Sequence, residues 1–211
     1  MIIRPAIRTD IPFIVDAIIA IEKTGNTDTF SNLFGTDETT TRNYIEQFFL
    51  DDENLNTEFS LNTYSIVEID NEKAGCCCLF FTDSDYYQNK SELFPIHLKK
   101  EHLQKFVENA QSLPDTKQYS THKYFLEYLY VDDKFRGKGV SKAILEYLFA
   151  KTDTLYLIPL VNNTFAVDYY RRFGFVEDEN IKTFPIDTPE NKIYPGTHKV
   201  MLYKKNEKFL S

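Results

Sequence analysis

Cysteine is scarce in this 211-residue chain and is spaced for neither of its usual structural jobs. The three present, Cys76, Cys77 and Cys78, are consecutive. Neighbouring residues on a strand point to opposite faces, so the run offers neither a zinc-ligand spacing nor a disulfide framework. Small apolar strand residues in a reducing compartment are what it implies. Histidine is equally thin: His97, His102, His122 and His198 fall at no metal-binding spacing, and no metal is expected. No Ser-His-Asp order with a nucleophile elbow is present, which leaves a covalent hydrolase unsupported. No apolar run approaches the ~18 residues that a membrane span needs. The opening MIIRPAIRTD lacks the charged, apolar, small-residue layout of a signal peptide, so a cytoplasmic protein is expected. With a formal net charge of −8 the chain also lacks the basic excess of a surface for nucleic acid or anionic membrane. Cationic partners suit such a charge, although solubility alone accounts for it.

With 42% hydrophobic and 27% charged residues the composition is that of an ordinary globular protein, long enough to bury roughly 70% of its extended-chain surface. Nothing reads as a linker, an internal repeat or a low-complexity segment, so one domain over residues 1–211 is the simplest count. Ile2 to Arg8 reads as a strand. Thr9-Asp10 then offers an N-cap with Pro12 in the first turn, and Ile14, Ala17, Ile18 and Ile21 form the apolar face of a helix closed by Gly25. A second helix is expected over Glu38 to Leu50 with Tyr44, Ile45, Phe48 and Phe49 inward, followed by the polar loop DDENLNTE. Tyr64 to Ile69 and Gly75 to Thr82 flank a turn and read as an antiparallel hairpin.

The stretch KYFLEYLYVDDKFRGKGVS, Lys123 to Ser141, carries the strongest local signal. Tyr124 to Val131 reads as a strand whose period of two places Phe125, Glu127, Leu129 and Val131 on one face. A short polar turn leads to Arg136-Gly137-Lys138-Gly139-Val140-Ser141. Ala143, Ile144, Leu145, Tyr147, Leu148 and Phe149 then recur as a helical apolar stripe. Glycines at the mouth of a helix let backbone N–H groups approach an anion, and the helix dipole adds partial positive charge, so a phosphate or pyrophosphate is the expected ligand. The dinucleotide fingerprint is excluded because its third glycine would fall at Lys142, and the Walker A spacing is not met. Farther on, Thr154 to Val161 reads as a buried strand and Asn163 to Phe173 as a helix with Gly174 at its C-cap. Phe175-Val176 begins another strand. A loop with Pro185, Pro189 and Pro195 precedes a last strand from His198 to Lys204.

The turn resembles motif A of the GNAT superfamily of acyl-CoA-dependent N-acyltransferases, Q/R-x-x-G-x-G/A, with Arg136 and Gly139 in place and Ser141 a mild departure. Asn163, Ala166, Tyr170, Gly174 and Phe175 match the family's second signature, N-x-x-A-x-x-x-Y-x-x-x-G-F, in the usual order and distance. The opening IRPAIRTDIPFIVDAI is also similar to that family's opening. The resemblance implies an α/β (α+β) fold with a mixed central sheet flanked by helices. It predicts nothing like the forty or so residues at about 83–121. Within them Leu98, His102, Phe106 and Leu113 suggest one amphipathic helix. A substrate lid, a contact between copies as in a homodimer, and a surface excursion all stand open for this insertion.

The resemblance further implies an acetyl-CoA co-substrate and transfer of its acetyl group to a primary amine, by direct attack in a ternary complex. The acceptor would be a small molecule or a peptide amine. The alternative is a catalytically weak GNAT-fold module that binds acyl-CoA or regulates. By position, the backbone of Leu129, Tyr130 and Val131 would pair with the thioester and pantetheine arm. The amides of Gly137, Lys138, Gly139, Val140 and Ser141, helped by Arg136, would cradle the pyrophosphate, and Asn163 would meet the pantetheine. Glu127 would serve as base or anchor the acceptor, or simply pair with a nearby Lys or Arg. Tyr170 would be the general acid, with Tyr169 pointing ~100° away around the helix as packing. Phe30, Leu33 and Phe34, between the first two helices, would either wall the acceptor pocket or pack one helix on another.

Overall fold

The computed structural model describes residues 1–24, 26–111, 113, 120–160 and 163–177, with strand segments at 184–185, 199–200 and 203–205. The chain runs β1 (Ile2–Pro5), α1 (Ile11–Ile21), β2 (Lys23–Thr24), β3 (Thr27–Asp28), α2 (Thr29–Phe34) and α3 (Glu38–Leu50). The hairpin β4 (Tyr64–Ile69) and β5 (Glu72–Phe81) follows, then α4 (Ser84–His97) and α5 (Lys100–Ala110). After these come β6 (Tyr124–Val131), α6 (Val140–Phe149), β7 (Tyr156–Leu157), α7 (Thr164–Arg172) and β8 (Phe175–Glu177). The segments β9 (Phe184–Pro185), β10 (Lys199–Val200) and β11 (Tyr203–Lys205) complete the order. The main sheet is ordered β1-β4-β5-β6-β7-β11-β8. Its pairs are antiparallel except β6 with β7, which run parallel, so the sheet is mixed as expected.

Local chemistry starts two of the helices. Asp37 and Asp83 cap α3 and α4 by accepting from Thr40 N at 2.7 Å and Tyr86 N at 2.9 Å. The hairpin turn uses Asp70 and Asn71, both with positive φ (53° and 63°), the pair of conformations a two-residue turn needs to match strand twist. Asp10 behaves differently from expectation. It stands at the N-cap of α1, yet its buried carboxylate turns back to accept from Ile7 N at 2.9 Å and to pair with Arg4 and Lys73. It thus ties β1 to the hairpin rather than capping the helix.

Alternation along the strands sorts side chains into two cores. Ile66, Cys76, Cys78, Phe80 and Phe125 join α1 to α4 on one face, and Val67, Ala74, Cys77 and Leu126 join α6 and α7 on the other. The cysteine run divides between the faces as its spacing requires, and all three thiols are free and buried. Tyr44, Ile45, Phe48 and Phe49 of α3 are buried as expected, as are Ile14, Ala17 and Ile18 of α1, whereas Ile21 is exposed. Phe30, Leu33 and Phe34 are packing residues: Phe34 is fully buried and its ring meets Tyr44, Phe48, Phe94 and Phe106.

Several elements differ from expectation. Among its described residues the insertion shows α4 and α5 where one helix was expected, because Leu98 adopts an extended backbone (ψ 137°) that ends α4, and Lys99 then stands at the start of α5. Both helices belong to the first core. Leu93, Phe94 and Leu98 are buried in it, Phe106 packs on Phe94 at 4.4 Å, and Tyr44 bonds His102 Nδ1 at 2.7 Å. The first strand stops at Pro5 rather than Arg8, and the strand expected over 154–161 is regular at Tyr156–Leu157. The final strand falls into the segments β10 and β11. Gly25, Val161, Pro189, Pro195 and His198 lie outside the described residues.

Candidate active site

One irregularity in β6 sets the geometry. Glu127 pairs with Cys78, but the next paired residue of β6 is Tyr130, opposite Cys76. Between these pairs β6 carries one residue more than β5, and Tyr128 takes φ 50°, so the strand bulges there. The unbroken alternation expected of 124–131 therefore fails. Glu127 does not share a face with Leu129 and Val131. Phe125, Tyr128 and Tyr130 lie with the α1–α5 core, and Leu126, Leu129 and Val131 with the α6–α7 core. The extra residue shifts the pleat by half a period, which reverses every side chain beyond it.

Glu127 is partly buried and continues a row across three strands, Tyr64 of β4, Cys78 of β5 and Glu127 of β6. The Tyr64 hydroxyl donates to the Glu58 carbonyl at 3.0 Å, which brings the loop before β4 over this row. The Glu58 carboxylate pairs through Oε1 with Lys90 of α4, and Lys90 Nζ also donates to the Tyr86 hydroxyl at 3.0 Å. Tyr86 stacks on Phe80 (5.0 Å, 7°) and Phe80 on Phe125 (5.8 Å, 17°), closing the cluster back onto β6. Burial pushes the Glu127 carboxyl up to about 8; Glu58 adds to the rise, Lys90 opposes it and Glu22 at the end of α1 adds again. Burial likewise raises Glu22. For Lys90, burial works against the charge, but Glu58 and Tyr86 carry it well above an ordinary lysine. Glu58, Lys90, Tyr86 and Glu22 were not legible as site residues. The one local signal is that Tyr86 and Lys90 are four apart on a helix and so share a face.

The turn after β6 has the expected shape. Phe135 is buried and pins it, while Gly137 and Gly139 take φ 76° and 81°. A Cβ built at either glycine meets nothing within 4 Å, so the space before the turn is open. Gly139 is the N-cap of α6 and no side chain caps that helix. First-turn amides left in this way are an anion site by construction. Val140 is buried to 1%, which leaves its backbone as the part facing that site. Arg136 is exposed and pairs with Asp133 at 2.6 Å, and Lys138 Nζ lies over the Phe135 ring at 4.9 Å.

The strands β6 and β7 pair at Phe125 with Tyr156, and among the described residues no further pair joins them. Leu129, Tyr130 and Val131 thus have backbone on the β7 side that no described strand takes up. Asn163 caps α7, its Oδ1 accepting from Ala166 N at 3.2 Å. Tyr170 packs on Phe175 at 5.5 Å with the α6–α7 core, and burial raises its hydroxyl above the usual phenol range, with Tyr169 and Cys77 adding. Tyr169 packs on Phe173 as expected, but its hydroxyl also donates to Ser141 Oγ at 2.7 Å. That bond links the second signature helix to the glycine turn.

The fold agrees with what comparison with known proteins shows. Residues 28–175 match the family model described as the acetyltransferase (GNAT) family. Among solved structures, the chain resembles an N-acetyltransferase from Staphylococcus aureus (TM-score 0.68, 16% identity, covering 97% of this chain and 100% of that one). It also resembles a spermidine N-acetyltransferase variant from Vibrio cholerae (TM-score 0.54, 14% identity, 98% and 95% covered). A third is a ribosomal-protein-alanine N-acetyltransferase from Brucella melitensis (TM-score 0.52, 14% identity, 97% and 99% covered). At these identities the likeness is one of fold. A search of curated proteins finds no match. The family model spans the bulged strand, the glycine turn and the second signature together, and the chain belongs to the GNAT acetyltransferase family.

Proposed function

We propose that the chain is an N-acetyltransferase that moves the acetyl group of acetyl-CoA to a primary amine by direct attack in a ternary complex. The observation that carries this reading is Glu127, a partly buried carboxylate on the bulged strand in a row with Tyr64 and Cys78, where burial pushes it up to about 8. A lysine-like amine has a reference pKa near ~10.4, so its free base at neutral pH costs about 4–5 kcal/mol unless a base takes the proton. A carboxylate raised to about 8 is far better matched to that task than an ordinary one.

In this reading the amides of Gly137 to Ser141 hold the pyrophosphate, with Arg136 and Lys138 adding charge. The β7-side edge of β6 at Leu129, Tyr130 and Val131, unpaired among the described residues, takes the thioester carbonyl and pantetheine. Asn163 uses Oδ1 as a cap, so its NH2 is the part that meets the arm. Glu127 takes the proton the ammonium must lose and passes it to solvent; the freed lone pair attacks the acetyl carbon, and the N–H proton then released passes to the emptied Glu127 oxygen. As the C–S bond breaks, Tyr170 gives its proton to sulfur; a phenol raised by burial still holds that proton at neutral pH. Burial also raises the three thiols, Cys77 to about 12, so none is a nucleophile for an acyl-enzyme route.

The test is release of CoA thiol from acetyl-CoA against a panel of amines, with the N-acetyl product identified by mass. CoA binding without thiol release from any amine would favour the binding or regulatory module instead. Tyr170→Phe should retain CoA and lower turnover ~10²-fold, because the ring's packing survives and only the donor is lost. Titrations of the two charged neighbours carry opposite signs. Lys90→Gln removes the cation that holds Glu127 down, so the acid limb of the pH–rate profile should move above 8; Glu58→Gln should move it below. A limb that stays in place in both variants would separate this cluster from the chemistry.

A further inference from the structure

We propose that the acceptor site is built for a molecule with two amino groups, the reacting one delivered to Glu127 and the second held as an ammonium by the Glu58 carboxylate. This rests on the acetyl-transfer reading and narrows its substrate to aliphatic diamines and their like.

Glu58 sits in the loop between α3 and β4, in a stretch that looks like ordinary polar linker in the sequence but is buried. Asn54, Thr57, Glu58 and Ser60 are all 6% exposed or less. Asn54 holds the loop by donating to the Phe48 and Phe59 carbonyls at 3.0 and 2.8 Å, so Glu58 has a fixed backbone. One of its carboxylate oxygens takes Lys90. The other, Oε2, is buried and has no hydrogen-bond partner among the described residues. A buried carboxylate oxygen left unpaired is costly, so the site lacks a donor.

The surroundings state what kind of donor. Glu58 from the loop and Glu22 from the end of α1 both act on Glu127 of β6, and Lys90 from α4 is the cation that opposes them there. The other titratable groups facing Glu127 are the Tyr64, Tyr86 and Tyr128 hydroxyls and the Cys78 thiol, each held neutral by burial. Lys90 satisfies Oε1 alone, and the donor that fits the remaining oxygen of a carboxylate is a cationic one, an ammonium carried in by the acceptor. An acceptor with its own carboxylate would meet like charge here. The Lys90 side chain is 38% exposed and the Glu58 side chain 7%, so of this ion pair the α4 member is the one that reaches solvent. In this proposal the acceptor enters past α4, an element of the insertion.

The test is calorimetric titration of the full chain, with CoA bound, by straight-chain diamines from diaminopropane to diaminohexane and by the monoamines of matched length. At least one diamine should bind about tenfold or more tightly than its monoamine, the worth of one added charge-assisted hydrogen bond. Glu58→Gln, which keeps the side chain's size and its bond to Lys90, should erase that advantage while monoamine binding persists. Equal affinity of diamine and monoamine, an advantage that survives Glu58→Gln, or no binding of either would overturn the proposal. Should Glu58→Gln fail to fold, the wild-type comparison alone decides. Acetylation of both amine classes at equal rates would remove this proposal and leave acetyl transfer standing; diamine binding without thiol release would do the reverse.

Discussion

Glu127→Gln should lower turnover ~10²–10⁴-fold with CoA affinity unchanged, the usual worth of a positioned base. The glutamine is isosteric and the strand around it is set by the bulge at Tyr128, so the fold gives no reason for the cofactor side to move. Raising the pH should partly rescue the variant, because more of the amine then arrives neutral. It should not rescue Tyr170→Phe, where the missing proton is the one given to sulfur. If Glu127 only anchors a charged acceptor, the same substitution raises KM and leaves kcat almost unchanged. Steady-state kinetics across pH on one accepted amine separates these outcomes.

Gly139→Val should abolish CoA binding, which is otherwise expected in the micromolar range. Two effects act together at this position. The backbone is at φ 81°, where a β-branched residue is strained by ~1–3 kcal/mol. The added side chain also projects into the open space before the uncapped helix, where the pyrophosphate would sit. Gly139→Ala carries much of the strain and little of the bulk, so comparing the two by calorimetric titration with CoA and by thermal melting separates steric exclusion from backbone distortion. Wild-type CoA affinity in Gly139→Val would show that the anion site is elsewhere.

The glycine turn, the hairpin and the helix over Glu38–Leu50 were legible because their signals are local: glycines and a 3.6-residue apolar stripe each lie within one element. The fold class followed from their order. Illegible features depend on contacts between distant segments. The β6 bulge sits at a tyrosine, a residue with no preference for positive φ, and the sequence around it alternates without a break. Glu127 was singled out by position, but Leu129 and Val131 were assigned to its face wrongly for that reason. Glu58, Lys90 and Glu22 come from a loop, an inserted helix and the end of α1, and nothing in the spacing of such residues brings them to one carboxylate. Pro95 and the absence of a turn motif near Leu98 likewise hid the break between α4 and α5. Tyr169 was assigned by helical angle alone, which gives its direction but not its bond to Ser141.

The most direct measurement is the pH dependence of kcat/KM for acetyl transfer to the best amine, in wild type and Glu127→Gln side by side. A carboxylate that must be ionised to accept the amine's proton predicts a rate that falls tenfold per pH unit below about 8 in the wild type. In Glu127→Gln that limb should vanish, leaving only the titration of the amine itself. The same limb near 8 in both proteins, at similar rates, would contradict Glu127 as the base and with it the proposed chemistry of this site.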